Sequence, residues 1–312
     1  MVSGVAVGSS CNNKFCLLHD SSAWSKEKAD AWNDDDTKDN LLYLDDCIVF
    51  IKVEEKDMSV ENGVWVMHGV DWKHPECIHT VEELEDYVNE VGFLPLFGND
   101  VAGFSVEEWT DPKYWWTGNE SRDPWEWREI IARRGKVAYG KFFDKKAGFI
   151  SLEWLPYFAN YRRSGYDFDA RWEDGLANRR EKTIMDVYVS ENEDGDTVYS
   201  TERILSTELK KQCGFGKEGS KNFPGIITGL QMQTYLAITD FVRRKNKKGD
   251  EYGMAVSIML CPEAVWGRDL VTKAYGESPA ESWQRLFDHV KEMYEEADDS
   301  AIIKLIGKKP VG

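Results

Sequence analysis

Long apolar runs are missing from this 312-residue chain. None approaches the ~18 residues that a bilayer-spanning helix needs, and the N-terminus lacks the charged-then-apolar pattern of a secretory signal. The sequence therefore reads as that of a soluble cytoplasmic protein with no membrane partner. Cysteines are few and scattered: Cys11, Cys16, Cys47, Cys77, Cys213 and Cys261 include no C-x-x-C pair. That fits reduced thiols better than a disulfide framework. His68, His74, Cys77 and His79 form one His/Cys cluster, but its spacing matches no standard zinc pattern. Separate core and surface roles are expected for these four, with no metal and no cofactor. A P-loop, a G-x-G-x-x-G turn and a serine nucleophile elbow are also absent, which argues against nucleotide hydrolases and Rossmann oxidoreductases.

What the chain does have is apolar mass and acid. Hydrophobic residues make up 42% and aromatics 13%, including thirteen tryptophans, enough to bury a substantial core. Net charge is −17, a balance that repels nucleic acid if it is spread evenly. It is not even. Residues 200–253 carry ten Lys or Arg against six Asp or Glu, an excess of four, which leaves −21 for the rest of the chain.

Residues 1–62 are poor in periodic apolar positions, apart from one candidate strand over residues 47–53. They read as an atypical, disordered extension, or as translated upstream sequence ahead of a start at Met58. Residues 63–160 read as a mixed α+β domain. Thr80 with Glu83 predicts a capped helix with Leu84, Tyr87, Val88 and Val91 on its apolar face, ending at Gly92. Asp123-Pro124 predicts a second helix start, and residues 137–143 and 147–154 read as two strands. Residues 161–197 read as a connection carrying one long helix over 170–190.

Residues 198–262 follow another order: a short helix from Ser206, a Gly-rich turn, a helix with Phe223, Ile226, Ile227 and Leu230 on one face, then a hairpin with a lysine-rich tip over 245–250. Helix, turn, helix and basic hairpin is the winged-helix order, so the fold class expected is α+β, with a winged helix joined to an N-terminal mixed domain. In such a module the second helix enters a major groove and the wing touches phosphates. Lys221, Thr228, Arg243, Arg244, Lys245, Lys247 and Lys248 are then the DNA-contacting candidates, and double-stranded DNA the partner. Residues 263–312 read as C-terminal helices, one started by Ser278, Pro279 and Glu281.

Two glutamines, Gln231 and Gln233, flank Met232 at the end of the second helix. On an extended chain their amides point to one side and can hold a water between them. Such a water suits cleavage of a base from its sugar through an oxocarbenium-like transition state. Trp125 and Trp127 are pocket candidates for stacking a base, with core packing as the plainer reading for them and for Trp109, Trp115 and Trp116. Asp167 and Asp169, in the run Tyr166-Asp167-Phe168-Asp169, are the acidic pocket candidates.

Trp125-Glu126-Trp127, Ala138-Tyr139-Gly140-Lys141-Phe142-Phe143, Phe149-Ile150-Ser151-Leu152-Glu153-Trp154, Tyr166-Asp167-Phe168-Asp169-Ala170-Arg171 and Leu230-Gln231-Met232-Gln233-Thr234-Tyr235 together resemble bacterial AlkZ-related proteins, relatives of the AlkZ/YcaQ superfamily of winged-helix DNA glycosylases. The resemblance runs from about residue 64 to 297. It implies tandem winged helices around a concave DNA surface and hydrolysis of the N-glycosidic bond of alkylated or crosslinked purines by a monofunctional glycosylase. It also implies a water-positioning triplet of two polar residues around an apolar one, which Gln231-Met232-Gln233 is similar to. In the enzymes that triplet lies in the first winged helix, near the N-terminus, whereas here it lies in the second half of the chain. A non-enzymatic DNA-binding regulator and a protein-interaction module are the alternatives.

Overall fold

The structure is a computed structural model that describes residues 67–310, apart from 217–218. It also describes five short strands further upstream: β1 (Val5–Val7), β2 (Phe15–Leu18), β3 (Phe50–Ile51), β4 (Ser59–Glu61) and β5 (Val64–Val66). These pair antiparallel in the order β3-β2-β1-β5-β4. The strand expected over 47–53 is present at Phe50–Ile51. The rest of residues 1–62, and the reading of an extension there, lies outside the described residues.

Helix α1 (Val81–Val91) starts where Thr80 Oγ1 accepts the Glu83 N–H at 3.1 Å. The Glu83 carboxylate returns the bond to the His79 N–H at 2.6 Å, one residue ahead of the expected capping partner. Leu84 and Val88 point inward and are fully buried. Gly92 takes φ +81° and sends the chain directly into β6 (Phe93–Pro95). Helix α2 (Pro124–Arg134) is capped by Asp123, which accepts the Trp125 N–H at 2.9 Å. Strands β7 (Val137–Phe143) and β8 (Lys146–Ser151) are joined by Asp144 and Lys145, both left-handed, and helix α3 (Leu155–Arg163) follows.

The long helix expected over 170–190 does not form. The chain breaks into α4 (Phe168–Glu173) and α5 (Arg179–Met185), then makes the small hairpin β9 (Val189–Glu191) and β10 (Thr197–Tyr199). Gly175 at φ +70° stops the first helix. Asn178 opens the second with a reciprocal capping box: its side chain accepts the Arg180 and Glu181 N–H groups, and Glu181 accepts the Asn178 N–H at 2.9 Å.

Helices α6 (Ser206–Gln212) and α7 (Phe223–Met232) precede β11 (Ala237–Lys245) and β12 (Glu251–Leu260). These strands complete a five-stranded antiparallel sheet, β12-β11-β7-β8-β6, in which Ile238 lies opposite Tyr139. The sheet thus runs across the boundary expected near residue 198, and both segments share one core. Phe93 meets Phe104, Phe143 and Phe158 at centroid distances of 5.6, 6.0 and 4.9 Å. Each such ring stabilises the fold by about 1.5–3 kcal/mol through burial.

The chain closes with α8 (Pro262–Trp266), α9 (Arg268–Val271), α10 (Pro279–Met293) and α11 (Asp299–Ile306). The capping box expected at Ser278 and Glu281 is present. Leu286 and Val290 of α10 are fully buried on its inner face. Among the described residues no helix is long and apolar enough to cross a membrane.

Candidate nucleic-acid interface

The distal half of the β11–β12 hairpin stands out from the sheet, and residues 244–251 are exposed. Its turn is held locally: Asn246 Oδ1 accepts the N–H groups of Lys248 at 2.8 Å and Asp250 at 3.0 Å, and Gly249 takes φ +92°. This presents Arg244, Lys245, Lys247 and Lys248 on one projecting tip. Lys245 lies 3.8 Å from Glu251, but both are well solvated, so the pair is weak. Exposed Lys210 and Lys211 in the last turn of α6 add two cations that the reading for DNA contacts missed, although they lie within the basic stretch.

Arg243 does not belong to this set. Its Nη2 bonds both Glu126 oxygens, at 2.9 and 3.0 Å. Burial opposes the Arg243 charge, and Glu126 outweighs that, holding the guanidinium above its ordinary value. Arg133 (2.7 Å) and Arg203 likewise both reach Asp240 at the base of β11. Arg243, expected as a phosphate contact, is engaged here in an ion pair that docks the hairpin on α2. Lys221 Nζ donates to Gly216 O at 2.8 Å, within the turn before α7. Thr228 is half-buried on α7.

The two glutamines lie on helical backbone, not on an extended chain. At about 100° per residue, positions two apart face roughly opposite sides, so their amides diverge. Gln231, 3% exposed, accepts the Lys141 N–H at 3.0 Å and donates to Ile227 O at 3.2 Å. It fastens α7 to β7. Met232 Sδ accepts the Lys145 N–H at 3.2 Å. Gln233 Nε2 donates to Glu181 at 3.4 Å, while its Oε1 is buried without a partner. The triplet is a three-way anchor to β7, the β7–β8 turn and α5.

Asp167 and Asp169 do come together. Both line a small pocket with Tyr199, Tyr235, Cys261 and Glu263, of about 10 Å³, room for roughly one water. Asp167 caps α4 through the Ala170 N–H at 2.9 Å. Burial raises the Asp169 carboxyl above its ordinary value, against Lys182 at 3.9 Å. Behind this pocket Arg163 pairs with Glu263, both buried.

The tryptophan candidates lie elsewhere. Trp127 is fully buried and its Nε1 donates to Glu120 O at 3.1 Å, so it is a core residue and offers no face to a base. Trp125 is half-buried and already covered by the Arg128 guanidinium, 3.8 Å from its ring. Trp115 and Trp116 are buried as well. Packing claims these rings because burying a large aromatic side chain is among the strongest single contributions to a core. A larger cleft of about 430 Å³ is lined by Asp100, Glu107, Glu108 and Asp144 alongside Lys146 and Lys304, an acid-rich wall unsuited to phosphates.

The His/Cys cluster makes separate contacts. His74 Nδ1 accepts the Glu76 N–H, His79 Nε2 meets Trp72 O at 2.7 Å, and Cys77 is buried with its thiol pushed up to about 11 by burial. Among the described residues no group of His, Cys, Asp and Glu is arranged to hold a metal.

A family model described as AlkZ related matches residues 78–307, a span that takes in the whole β12-β11-β7-β8-β6 sheet, both glutamines and the basic hairpin. Comparison with curated proteins and with solved structures returns no match.

Proposed function

The chain belongs to the AlkZ-related family, and from this we propose that it is a DNA-binding protein of DNA repair that engages duplex DNA in winged-helix fashion. Helix α7 enters a major groove, and Arg244, Lys245, Lys247 and Lys248 on the hairpin meet the phosphates beside it. The observation that carries this reading is the projecting basic tip, placed after two helices in a chain of net charge −17. Acid elsewhere repels the duplex and so orients it onto this edge.

The family relationship extends the proposal to glycosylase-like chemistry: hydrolysis of the N-glycosidic bond of an alkylated or crosslinked purine. In this reading the two glutamines divide the work. Gln231, its amide already bonded, fixes the helix end. Gln233 turns its unpartnered Oε1 to the attacking water. The second reading, a DNA-binding regulator without catalysis, is favoured by the water-sized pocket at Asp167 and Asp169, which admits no base in this conformation.

Fluorescence anisotropy with a labelled duplex from about 50 to about 200 mM salt tests the shared claim, and affinity is expected to fall steeply over that range. No binding at the lowest salt would sink both readings. Release of base from N7-alkylated duplex separates them. Release by the wild type that drops in Gln233→Ala supports the glycosylase, whereas equal background from both leaves the regulator.

A further inference from the structure

The Gln231-Met232-Gln233 helix end stops in an unusual way. The Tyr235 N–H bonds Leu230 O at 2.9 Å and the Thr234 N–H bonds Gln231 O at 2.8 Å, the two bonds of a Schellman stop. The residue between them must be left-handed, and glycine normally fills that place. Here it is Thr234, at φ +61°. A β-branched side chain crowds its own backbone in that region, so surrounding contacts must hold it there.

Those contacts come chiefly from one side chain. Arg163, the last residue of α3, is fully buried. Its Nη2 donates to Thr234 O at 2.6 Å and its Nε to Thr234 Oγ1 at 3.3 Å. Its guanidinium lies 4.6 Å from the centre of the Tyr235 ring. Its third nitrogen pairs with Glu263, beside the Tyr275 hydroxyl. A rigid fork aimed at both oxygens of one residue is a geometry that lysine's point charge does not reproduce. A fully buried ion pair adds little net stability over an apolar pair of equal size, so the benefit of this one lies in the shape it imposes.

We propose that Arg163, backed by Glu263, is the positioning residue that holds Thr234 in the left-handed stop and thereby fixes the helix end that carries the Gln233 side chain and its Oε1. Its consequence for base release rests on the glycosylase reading above, whereas the conformational claim stands apart from it.

Hydrogen exchange on the full chain tests this with variants that leave no unpaired charge. In Arg163→Met/Glu263→Gln the amides of Thr234 and Tyr235 are expected to exchange at least tenfold faster, with β8 and α10 unchanged. Adding Thr234→Gly is expected to restore slow exchange, because glycine adopts the stop unaided. Arg163→Lys, which keeps the charge and loses the fork, should fall between. Unchanged exchange in the double variant, or no recovery with glycine, would overturn the proposal. In the base-release assay kcat should follow the same pattern at constant KM. If the wild type releases no base, the glycosylase reading fails and the exchange result alone decides the role of Arg163.

Discussion

The base and the tip of the β11–β12 hairpin carry the same kind of residue in opposite circumstances. At the base Arg243 is bonded to Glu126, while Arg133 and Arg203 converge on Asp240. Those cations are spent on docking the hairpin to the rest of the fold. At the tip, past Arg244, the chain runs through exposed Lys245, Lys247 and Lys248. A count of charge along the chain treats the two ends alike. Their partners separate them, since a cation beside a buried carboxylate is committed to it, and a solvated lysine is available to a phosphate.

The sharpest test of that division is Lys245→Glu/Lys247→Glu/Lys248→Glu. Duplex affinity should fall roughly 100-fold near 0.1 M salt and the log–log salt slope should shrink by roughly 2–3, while unfolding stability stays within about 0.5 kcal/mol. Unchanged affinity would remove the tip from the interface. Arg243→Ala should behave oppositely. Chemical denaturation should show a loss of about 1–3 kcal/mol, because Glu126 is left buried without its partner, and the salt slope should not move. A slope lower by about one would instead place Arg243 with the tip.

The glutamines extend the contrast between committed and available groups. Gln231→Ala strands the Lys141 N–H and should cost about 1–3 kcal/mol in thermal unfolding, whereas Gln233→Ala should cost less than about 1. The reverse order would break the assignment of anchor and open amide.

The smallest effect concerns Glu107, a buried charge held by backbone N–H groups of Gly98 and His68 instead of by a guanidinium. Burial raises its carboxyl above the ordinary value, and those bonds only partly offset this. The folded chain therefore binds that proton more tightly than the unfolded chain. Its contribution is full below the unfolded pKa, about 4.3, and is lost as pH rises through the raised folded value. Denaturation midpoints followed between about pH 4 and 7 should show a flatter profile in Glu107→Gln. An equal or steeper profile would contradict the burial argument.

Much of the fold was legible because its signals are local. Thr80, Asp123, Ser278 and Pro279 mark helix starts, and the turn at Asn246 and Gly249 marks the hairpin. The helix expected over 170–190 failed at Gly175 and Asn178, a stop and a cap that local reading passed over. The site was less legible. Asp167 and Asp169 were found as neighbours because they bracket one residue of a helix start, but Tyr199, Tyr235 and Glu263, which complete their surroundings, are distant in sequence.

By itself the sequence determined the α+β class, the basic hairpin in an acidic chain, and the motifs that resemble the AlkZ-related family. Only the tertiary structure decided that Arg243 is committed to Glu126, 117 positions away, and Gln231 to Lys141, 90 positions away. The physical reason is that the role of a charge or an amide depends on its burial and its partner. When strands this far apart in the chain join one sheet, both are settled by neighbours that no local pattern encodes.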